Sequence, residues 1–406
     1  MSAFNQKTKI KHLCVTVFLA VCFIQLQAQI QWRNDRTGVY HETGLMKSWQ
    51  AEGPDMLWHF DGLGRGYTSV SIDRGQLFVT GETDEIGYLY VLDMDGKLQH
   101  KIEYGREFVN SYPGTRNTVI PDEGKLYIVS GLMDLLCYDM QTLDLLWKKN
   151  YAQDYGVENT LHGWHGTPLI VGEKLIVAPG GEKHNVVALN KSTGELIWSS
   201  EGKGVASGYG SPIFIGDQQT PQAVIMMSEY IYGLDVSNGE LIWSFPHVNR
   251  WKEHPNTPVY DNNMLFCMSA YDQSIMLRLT DGGRSVEKVW EIKELCHQTG
   301  HVMKSGDYIY GCGERMYWHC VDWRTGKVMY SDRALSAGNV IAADGMMYVY
   351  SDRGEMALVK PNPQKFDIIS KFNITMGTEH HWAHPVIYQG IMYVRHGDSL
   401  MAYQLK

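Results

Sequence analysis

Short apolar runs separated by polar turns recur along most of the chain. In the clearest case, the apolar run 186–189 is followed by the polar stretch 190–194 and then by a second apolar run, 196–198. Asn, Ser and Thr side chains bond the local backbone in turns, and Gly adopts a positive φ readily. The pattern therefore predicts a β-hairpin that ends on a large aromatic anchor, Trp198.

Three further copies of this hairpin keep the same order of strand, turn and aromatic anchor: residues 137–147, 233–243 and 320–330. The anchors recur at intervals of roughly 40 to 50 residues, a period typical of propeller blades. Two more short strands fit between successive hairpins, which gives four strands per unit. We therefore predict an all-β fold, a β-propeller of four-stranded antiparallel blades.

Counting the units gives seven complete blades and one blade divided between the two ends of the propeller. The complete units occupy residues 67–104, 117–150, 167–200, 211–245, 257–293, 302–331 and 339–374. The last unit, residues 385–405, lacks its outer strand, and residues 55–60 have the form of the missing one. Pairing the N-terminal strand with the C-terminal blade closes the ring and removes an exposed edge. We expect eight blades, with seven as the alternative.

The domain organisation follows from this count: residues 1–28 as a signal peptide, 29–53 as an N-terminal extension packing on the propeller, and 54–406 as one propeller domain. Three lysines precede an apolar run that is too short for a bilayer span, and Ala28 offers a cleavage site. We therefore expect export to the periplasm or the extracellular space. Lipid attachment at Cys22 is disfavoured because bulky Val21 precedes it, and no transmembrane segment is expected.

The net charge of −9 argues against nucleic acid as a partner, because phosphate backbones recruit basic surfaces. We expect a monomer. The cysteines beyond the predicted cleavage site are Cys137, Cys267, Cys296, Cys312 and Cys320. An odd number without an adjacent pair indicates buried thiols rather than a disulfide framework. A single disulfide between Cys312 and Cys320 stays open as an alternative.

The phrase Ala-Leu-x-x-x-Thr-Gly-Glu-Leu-x-Trp at residues 188–198 resembles the repeat of the PQQ-like, or quinoprotein-like, β-propeller superfamily. The runs 32–39, 42–45, 53–58 and 64–70 are similar to a secreted bacterial branch of that superfamily, of mostly unassigned activity. The resemblance covers nearly the whole chain after the signal peptide. It implies the fold strongly and the function weakly, because the repeat is structural.

Two kinds of relative within that superfamily imply different functions. Quinoprotein alcohol dehydrogenases of this shape hold PQQ between a tryptophan and a disulfide of adjacent cysteines, with a calcium ion and a catalytic aspartate. No two cysteines are adjacent in this chain, so we expect no PQQ and disfavour an oxidoreductase. The other relative, the outer-membrane assembly lipoprotein propeller, is a scaffold, which makes an envelope protein an alternative partner.

Histidines accumulate in the loops that lead into the innermost predicted strands. In a propeller these inter-blade loops share one face, and equivalent positions on successive blades point at the same axis. The candidate ligand-binding residues there are Arg65, Arg116, His162, His165, Arg250, His254, His297, His301, His380, His381 and His384. A lone histidine at such a place is more often a hydrogen-bonding brace, so the hypothesis depends on the set rather than on one member.

A convergent set of His, Arg and Tyr suits several tasks. Neutral His binds divalent transition metals, His and Tyr exchange protons near neutral pH, and Arg pairs with carboxylates. Trp164, Trp251 and Trp382 lie in the same loops, where they are placed to stack on sugar rings. We therefore predict that a small molecule or a glycan binds on this face, and we leave open whether it is turned over. The strongest candidates are His165, His254, His301, His381 and His384.

Overall fold

The computed structural model describes residues 32–216, 220–313 and 315–406. These residues form eight blades of four antiparallel strands, arranged as an eight-bladed β-propeller, and the sheet of one blade has a fifth short strand that pairs in parallel. The predictions of an all-β fold and of eight rather than seven blades are confirmed. The predicted signal peptide, residues 1–28, lies outside the described residues.

Two strands, β1 (Val39–Tyr40) and β2 (Met56–Asp61), precede the first complete blade. Blades 1 to 4 each take four consecutive strands, A to D, from the axis to the rim. Blade 1 comprises β3 to β6, namely Ser71–Asp73, Gln76–Thr83, Ile86–Asp93 and Leu98–Arg106. Blade 2 comprises β7 to β10, namely Ile120–Asp122, Lys125–Val129, Asp134–Asp139 and Leu145–Asn150. Blade 3 comprises β11 to β14, namely Leu169–Val171, Lys174–Val177, Val186–Asn190 and Leu196–Ser200. Blade 4 comprises β15 to β18, namely Ile213–Ile215, Gln222–Met226, Tyr230–Asp235 and Leu241–Pro246.

Blades 5 to 7 repeat the arrangement, and blade 8 supplies three strands of its own. Blade 5 comprises β19 to β22, namely Val259–Asp261, Met264–Cys267, Ser274–Thr280 and Ser285–Ile292. Blade 6 comprises β23 to β26, namely Met303–Ser305, Tyr308–Cys312, Trp318–Asp322 and Val328–Asp332. Blade 7 comprises β27 to β30, namely Gly338–Ala343, Met346–Ser351, Glu355–Lys360 and Asp367–Asn373. Blade 8 comprises β31 to β33, namely Val386–Tyr388, Ile391–His396 and Ser399–Gln404.

The outer strand of blade 8 is β2, as the repeat count predicts. Met56 lies opposite Tyr403 and Asp61 opposite Ser399, so strands from the two ends of the chain form one antiparallel ladder. The buried guanidinium of Arg395 in blade 8 also donates from Nη1 to the carbonyl oxygen of Thr80, on strand β4 of blade 1. The ring is therefore closed both within blade 8 and between blades 8 and 1.

The tryptophan anchors of the repeat join neighbouring blades. Trp58 Nε1 donates to the carbonyl oxygen of Met94 in the next blade at 2.9 Å, and Trp198 Nε1 donates to that of Val236 at 3.0 Å. Gly239, at a φ of +79°, lies so close to the Trp198 ring that a Cβ would approach it to 2.4 Å. The Trp and Gly of the repeat therefore hold blades together, and they say little about chemistry.

The N-terminal residues run through the central channel; residues 32–40 are called the channel segment below. Its strand β1 pairs in parallel with β27, the innermost strand of blade 7, and Val39 lies opposite Ala342. Arg33 Nη2 donates to the carbonyl oxygen of Val302 at 3.1 Å, beside blade 6. Arg36 Nη1 donates to that of Thr167 at 3.1 Å, beside blade 3. The segment therefore bridges distant parts of the ring from inside.

The backbone of the channel segment is unusual at its start. The four residues 33–36 all have a positive φ, between 45° and 65°, which non-glycine residues rarely adopt. The buried side chains of Arg33 and Arg36 flank this turn, and their bonds to backbone carbonyls offset its strain.

Beyond the channel, the chain crosses the face opposite the inter-blade loops. Backbone N–H groups of Gln389 and Gly390 donate to the carboxylate of Glu42, and Leu45 N donates to Asp344 at 2.9 Å. Leu45 and Trp49 are buried against blades 7 and 8. This short stretch links the channel segment to the closing strand β2.

Helical structure is limited to short turns. Residues 34–38 form the turn at the start of the channel segment, α1 spans Tyr151–Tyr155, and a 3-10 turn spans Asp281–Gly283. Asn150 caps α1 by accepting from the backbone N–H of Gln153 at 3.0 Å. Within the described ranges, none of the helices has the length and apolar character of a membrane span.

The cysteines of the described ranges are all buried free thiols. Cys312 lies opposite Trp318 and Cys320 opposite Tyr310 on adjacent strands, so the two sulfur atoms belong to different rungs of the ladder. The disulfide that the sequence left open between Cys312 and Cys320 is not formed.

Candidate functional site

The loops that lead into blades 8, 1, 2, 3 and 4 bring a set of aromatic rings together on one face. Each ring centroid lies within 6.4 Å of at least one other. This set is called the aromatic cluster, and its members are Tyr67, Tyr112, His162, His165, Tyr209, His380 and Trp382. Because five loops contribute, the cluster depends on the closed ring rather than on a single blade.

Trp382 is the centre of the exposed end of the cluster. The ring of His380 stacks on it, with 4.1 Å between centroids and 8° between planes. Tyr67 and Tyr112 lie 5.0 and 5.1 Å from it, and Tyr112 is 49% exposed. Burial raises the pKa of Tyr67 to about 12, and its hydroxyl has no hydrogen-bond partner among the described residues. Stacked rings beside such a hydroxyl suit a flat ligand with polar groups.

His162 and His165 lie at the other end of the cluster, where both face Tyr209. The ring centroids of His165 and Tyr209 are 4.6 Å apart. Nδ1 of His162 lies 2.8 Å from Ser111 Oγ, and its Nε2 lies 3.6 Å from Glu253 Oε1. Burial lowers the pKa of His165 to about 3, so this imidazole is neutral at pH 7. Burial raises the pKa of Glu253, and the nearby His162 imidazole opposes that shift.

Two of the predicted arginines lie beside the cluster with their guanidinium groups bonded to the protein. Arg65 donates from Nε and Nη2 to the two carboxylate oxygens of Glu82, at 2.7 and 2.9 Å. Arg116 donates from Nη1 to Gly114 O at 2.7 Å and from Nη2 to Tyr112 O at 2.8 Å. Both side chains shape the loops beside the cluster, and the carboxylate of Glu82 compensates the charge of Arg65.

His301 and His384 contact each other in the channel lining. Nε2 of His384 lies 3.1 Å from Nδ1 of His301, so one imidazole donates and the other accepts. The ring of Trp32 meets both edge-on, at 4.9 and 5.1 Å between centroids. Burial lowers the pKa of both histidines well below the usual range, and the adjacent Arg33 adds to the shift. The channel segment covers this pair, and among the described residues its ring contacts are with Trp32 and with each other rather than with the aromatic cluster.

Three other predicted histidines bond within the loops and strands around them. His254 is buried, and its Nε2 donates to the carbonyl oxygen of His247 at 3.0 Å. Nδ1 of His297 accepts from two backbone N–H groups of its own loop. Nδ1 of His381 lies 2.6 Å from the hydroxyl oxygen of Tyr350. The structure therefore gives these imidazoles protein partners instead of bringing them to the cluster.

Arg250 and two of the tryptophans proposed for sugar stacking also lie outside the cluster. The guanidinium of Arg250 lies 5.0 Å from the ring centroid of Tyr271. Trp251 is 63% exposed on the same face, whereas Trp164 is 2% exposed and packs edge-on against Tyr151 at 5.1 Å. Of the three tryptophans, Trp382 is the one that joins the cluster.

No group of three or more His, Cys, Asp or Glu side chains in the described ranges is arranged to hold a metal ion. A separate cleft of about 540 Å³ opens beside blade 3, and its lining includes Tyr155 and His184. It contains no member of the aromatic cluster. The candidate site is placed at the cluster, because side chains from five loops converge there.

The cofactor that the superfamily's name implies does not fit this chain. The described cysteines are free, buried and carried by different strands and loops, so no pair of them forms the clamp expected around PQQ. The channel segment also places Trp32, Arg33 and Arg36 inside the ring. The residues present do not form the expected holding set.

A comparison with known families decides the classification. A family model described as outer membrane protein assembly factor BamB matches residues 47–332, which is more than half of the chain. The chain belongs to this family. This match confirms the predicted resemblance to PQQ-like β-propellers, and the chain is called a BamB-type propeller from here on.

Named relatives of this BamB-type propeller include quinoprotein ethanol dehydrogenases. The enzyme from Pseudomonas putida is 24% identical over 164 residues, which cover 36% of this chain and 26% of the dehydrogenase. The enzyme from Pseudomonas aeruginosa is 24% identical over 147 residues, which cover 33% of this chain and 23% of the dehydrogenase. The chain thus spans about a quarter of the length of the curated relatives it matches.

Solved structures share the fold at low identity. BamB from Moraxella catarrhalis superposes with a TM-score of 0.63 at 14% identity, covering 87% of this chain and 100% of that one. A quinohemoprotein alcohol dehydrogenase from Pseudomonas putida HK5 gives 0.61 at 12% identity, with 91% and 79% covered. At such identities the likeness establishes the fold of this BamB-type propeller alone.

Sequence reasoning missed several residues of the site in this BamB-type propeller. Tyr112 and Ser111 lie well before the innermost strand of blade 2, so the register of the repeat does not mark them. Glu253 is adjacent to the predicted His254 but faces the other way, toward His162. Tyr67 and Tyr209 of the cluster differ from them, because both lie shortly before an innermost strand, at places that the register of the repeat marks.

Proposed function

We propose that the protein is an exported propeller that binds a glycan, or another flat and polar small molecule, at the aromatic cluster. The observation that carries this proposal is the solvent-facing stack of His380 on Trp382, with Tyr67 and Tyr112 beside it. Aromatic faces bury the apolar side of a flat ligand while hydroxyl and imidazole groups bond its polar edge. Export rests on the predicted signal peptide.

The charged groups around the cluster support a ligand with carboxylate or hydroxyl groups. The Arg65 side chain is 39% exposed even though it bonds Glu82, so part of the guanidinium faces solvent beside the rings. His162 is 37% exposed and lies within reach of the same space. Partly exposed Arg and His next to aromatic rings are typical partners for acidic sugars.

A binding assay on a panel of neutral and acidic polysaccharides tests the proposal. Trp382→Ala removes the centre of the stack, and we expect its affinity for a retained polysaccharide to fall about tenfold or more, which corresponds to roughly 1.4 kcal/mol. Trp251→Ala is the matched control, because this exposed tryptophan of the same face lies outside the cluster. Equal losses in the two variants, or no retention of any polysaccharide by the unmodified protein, would count against the cluster.

A second candidate function is docking of an envelope protein on the same face. Exposed apolar side chains of the inter-blade loops favour it: Leu161 is 73% exposed, Trp251 63% and Val248 57%. Membership of a family described as an outer membrane protein assembly factor supports it further. Cross-linking in envelope extracts, compared between the unmodified protein and Leu161→Asp, tests this function. A specific partner lost in the variant supports docking, and an unchanged pattern speaks against it.

A further inference from the structure

Three polar side chains from three inter-blade loops meet beside the aromatic cluster. Ser111 comes from the loop before blade 2, His162 from the loop before blade 3 and Glu253 from the loop before blade 5. Ser111 Oγ lies 2.8 Å from His162 Nδ1, and Glu253 Oε1 lies 3.6 Å from Nε2 on the other side of the ring. All three residues are partly exposed, so a substrate has access to them.

The imidazole thus stands between a hydroxyl and a carboxylate, which is the order that a nucleophilic serine requires. A carboxylate beside Nε2 favours the tautomer with the proton on that atom, and the lone pair of Nδ1 then faces the hydroxyl of Ser111. A base in this position accepts the hydroxyl proton as the oxygen attacks a carbonyl carbon. The distance of 3.6 Å to Glu253 is longer than a hydrogen bond, as is common for catalytic contacts before a substrate binds.

Two other Ser–His contacts among the described residues show how this one differs. His184 Nδ1 lies 2.8 Å from Ser199 Oγ, and His319 Nδ1 lies 2.9 Å from Ser331 Oγ. Ser199 and Ser331 belong to outer strands at the rim. In the part of the chain that the structure describes, neither of these imidazoles has a carboxylate oxygen within 4.0 Å. Of these three Ser–His contacts in the described residues, the one beside the cluster is the one that also includes a carboxylate.

The surroundings of Ser111 favour negative charge on a reacting oxygen. Arg116 Nη2 donates to the carbonyl oxygens of both Ser111 and Tyr112, which fixes a guanidinium at the backbone of Ser111. Tyr112 and Tyr209 flank the imidazole, with ring centroids 5.8 and 6.4 Å from that of His162. A fixed positive charge in partly buried surroundings stabilises an oxyanion more than water does.

We propose that Ser111, His162 and Glu253 form an ester-hydrolysing site for small carboxylic esters, such as O-acyl groups on a bound sugar. The proposal rests on the proposed glycan binding only for the alcohol part of the substrate. In the first step Ser111 Oγ forms a bond to the acyl carbon, and its proton passes to His162 Nδ1. The ester C–O bond then breaks, the alcohol leaves with that proton, and an acyl-serine remains. Water attacks the acyl-serine with His162 as the base, which releases the carboxylic acid and restores Ser111.

The test uses p-nitrophenyl acetate as the substrate and a fluorophosphonate as a covalent serine probe, followed by peptide mass spectrometry. We expect labelling at Ser111, and a loss of hydrolysis of about a thousandfold or more in both Ser111→Ala and His162→Ala. Glu253→Gln keeps the shape of the side chain but removes its charge, and we expect the rate of hydrolysis to fall about ten- to a hundredfold. Ser199→Ala is the matched control, and its labelling and hydrolysis should equal those of the unmodified protein.

The outcomes separate this proposal from the binding function. No label on Ser111, or hydrolysis that survives in Ser111→Ala, overturns the ester-hydrolysing site whatever the polysaccharide assay shows. Labelling of Ser111 together with an absence of polysaccharide retention supports the site and overturns glycan binding instead. Thermal unfolding of each variant is measured alongside. Because the three side chains are partly exposed, we expect the melting temperatures of the variants to stay close to that of the unmodified protein.

Discussion

Two histidines occupy equivalent places in different parts of the ring and have different surroundings. His165 precedes the innermost strand of blade 3, and His254 precedes that of blade 5. His165 is partly exposed and faces Tyr209 of the following inter-blade loop, 4.6 Å away. His254 is 1% exposed and stacks on His247 of its own loop, 4.7 Å away. The position relative to the strand therefore does not decide the role of the residue.

The difference arises from how each loop folds. In the loop before blade 5, the side chain of Asn249 bonds Ser269 at 2.9 Å and accepts from the backbone N–H of Trp251 at 3.0 Å, so the loop closes over His254. The loop before blade 3 contains α1 and places the ring of His165 against Tyr209 of the loop before blade 4. The loop before blade 5 therefore folds over its own histidine, whereas the loop before blade 3 brings its histidine to a neighbouring loop and leaves it partly exposed.

The largest effect is expected from truncating the buried member of the pair. His254→Ala removes the stacking on His247 and the bond to its carbonyl oxygen, so we expect the free energy of unfolding to fall by about 2 to 3 kcal/mol. His165→Ala should lower it by less than about 1 kcal/mol, because that ring is partly exposed. Chemical denaturation of both variants measures the two losses in the free energy of unfolding. Equal losses would show that the two loops do not differ in the way described.

A second test uses pH. Burial lowers the pKa of folded His254 to about 3, whereas an unfolded histidine titrates near 6.5. The unfolded state therefore binds more protons below pH 6.5, and stability falls as the pH drops. Between pH 6.5 and 5.0 this site alone contributes a loss of about 2 kcal/mol. We expect His254→Ala to show a correspondingly flatter pH profile, and His165→Ala a similar flattening, because burial lowers the pKa of that imidazole to about 3 as well. A profile of His254→Ala that runs parallel to that of the unmodified protein would contradict the burial.

A third test concerns the covered pair in the channel. Trp32→Ala removes the ring that meets His301 and His384, and we expect a loss of about 1 kcal/mol because Trp32 is itself partly exposed. Imidazole titration by NMR should then show higher pKa values for both histidines as water reaches them. Affinity at the aromatic cluster should not change. A loss of binding in Trp32→Ala would place the channel segment in the ligand site.

The smallest effect on stability is expected at the exposed end of the cluster. Tyr112 is 49% exposed, so Tyr112→Ala should change the free energy of unfolding by no more than about 0.5 kcal/mol. Affinity for the retained polysaccharide should nevertheless fall about tenfold, because Tyr112 lies against Trp382. Tyr112→Phe serves as the control that keeps the ring. Unchanged affinity in Tyr112→Ala would remove this residue from the site.

The fold could be predicted because its signal repeats. Trp58 stands in the same place relative to its strand as Trp198, which is why the strand before blade 1 could be assigned to blade 8. The channel segment carries no such signal. Its path depends on a single left-handed turn at residues 33–36 and on bonds from Arg33 and Arg36 to distant carbonyls. Neither feature has a period or a motif that local sequence rules detect.

The site could be predicted only as far as one face of the ring. His162, His165 and His380 were identified because the blade register marks the loops in which they lie. Whether such a histidine meets a neighbouring loop or folds under its own depends on contacts such as that of His254 with His247, which are tertiary. Tyr112 was missed because its loop is long and nothing in the sequence measures how far that loop reaches.

The closing strand has a consequence for how the chain is made. Asp61 bonds Ser399 across 338 positions of sequence, so one partner leaves the ribosome long after the other. Contacts of such separation form slowly, and until they form, β2 keeps an unpaired edge. The four consecutive strands of each of the other seven blades have no comparable delay, although β1 also has to wait for its partner β27 in blade 7. The molecule is therefore most exposed to misassembly in the interval before its last three strands are synthesised.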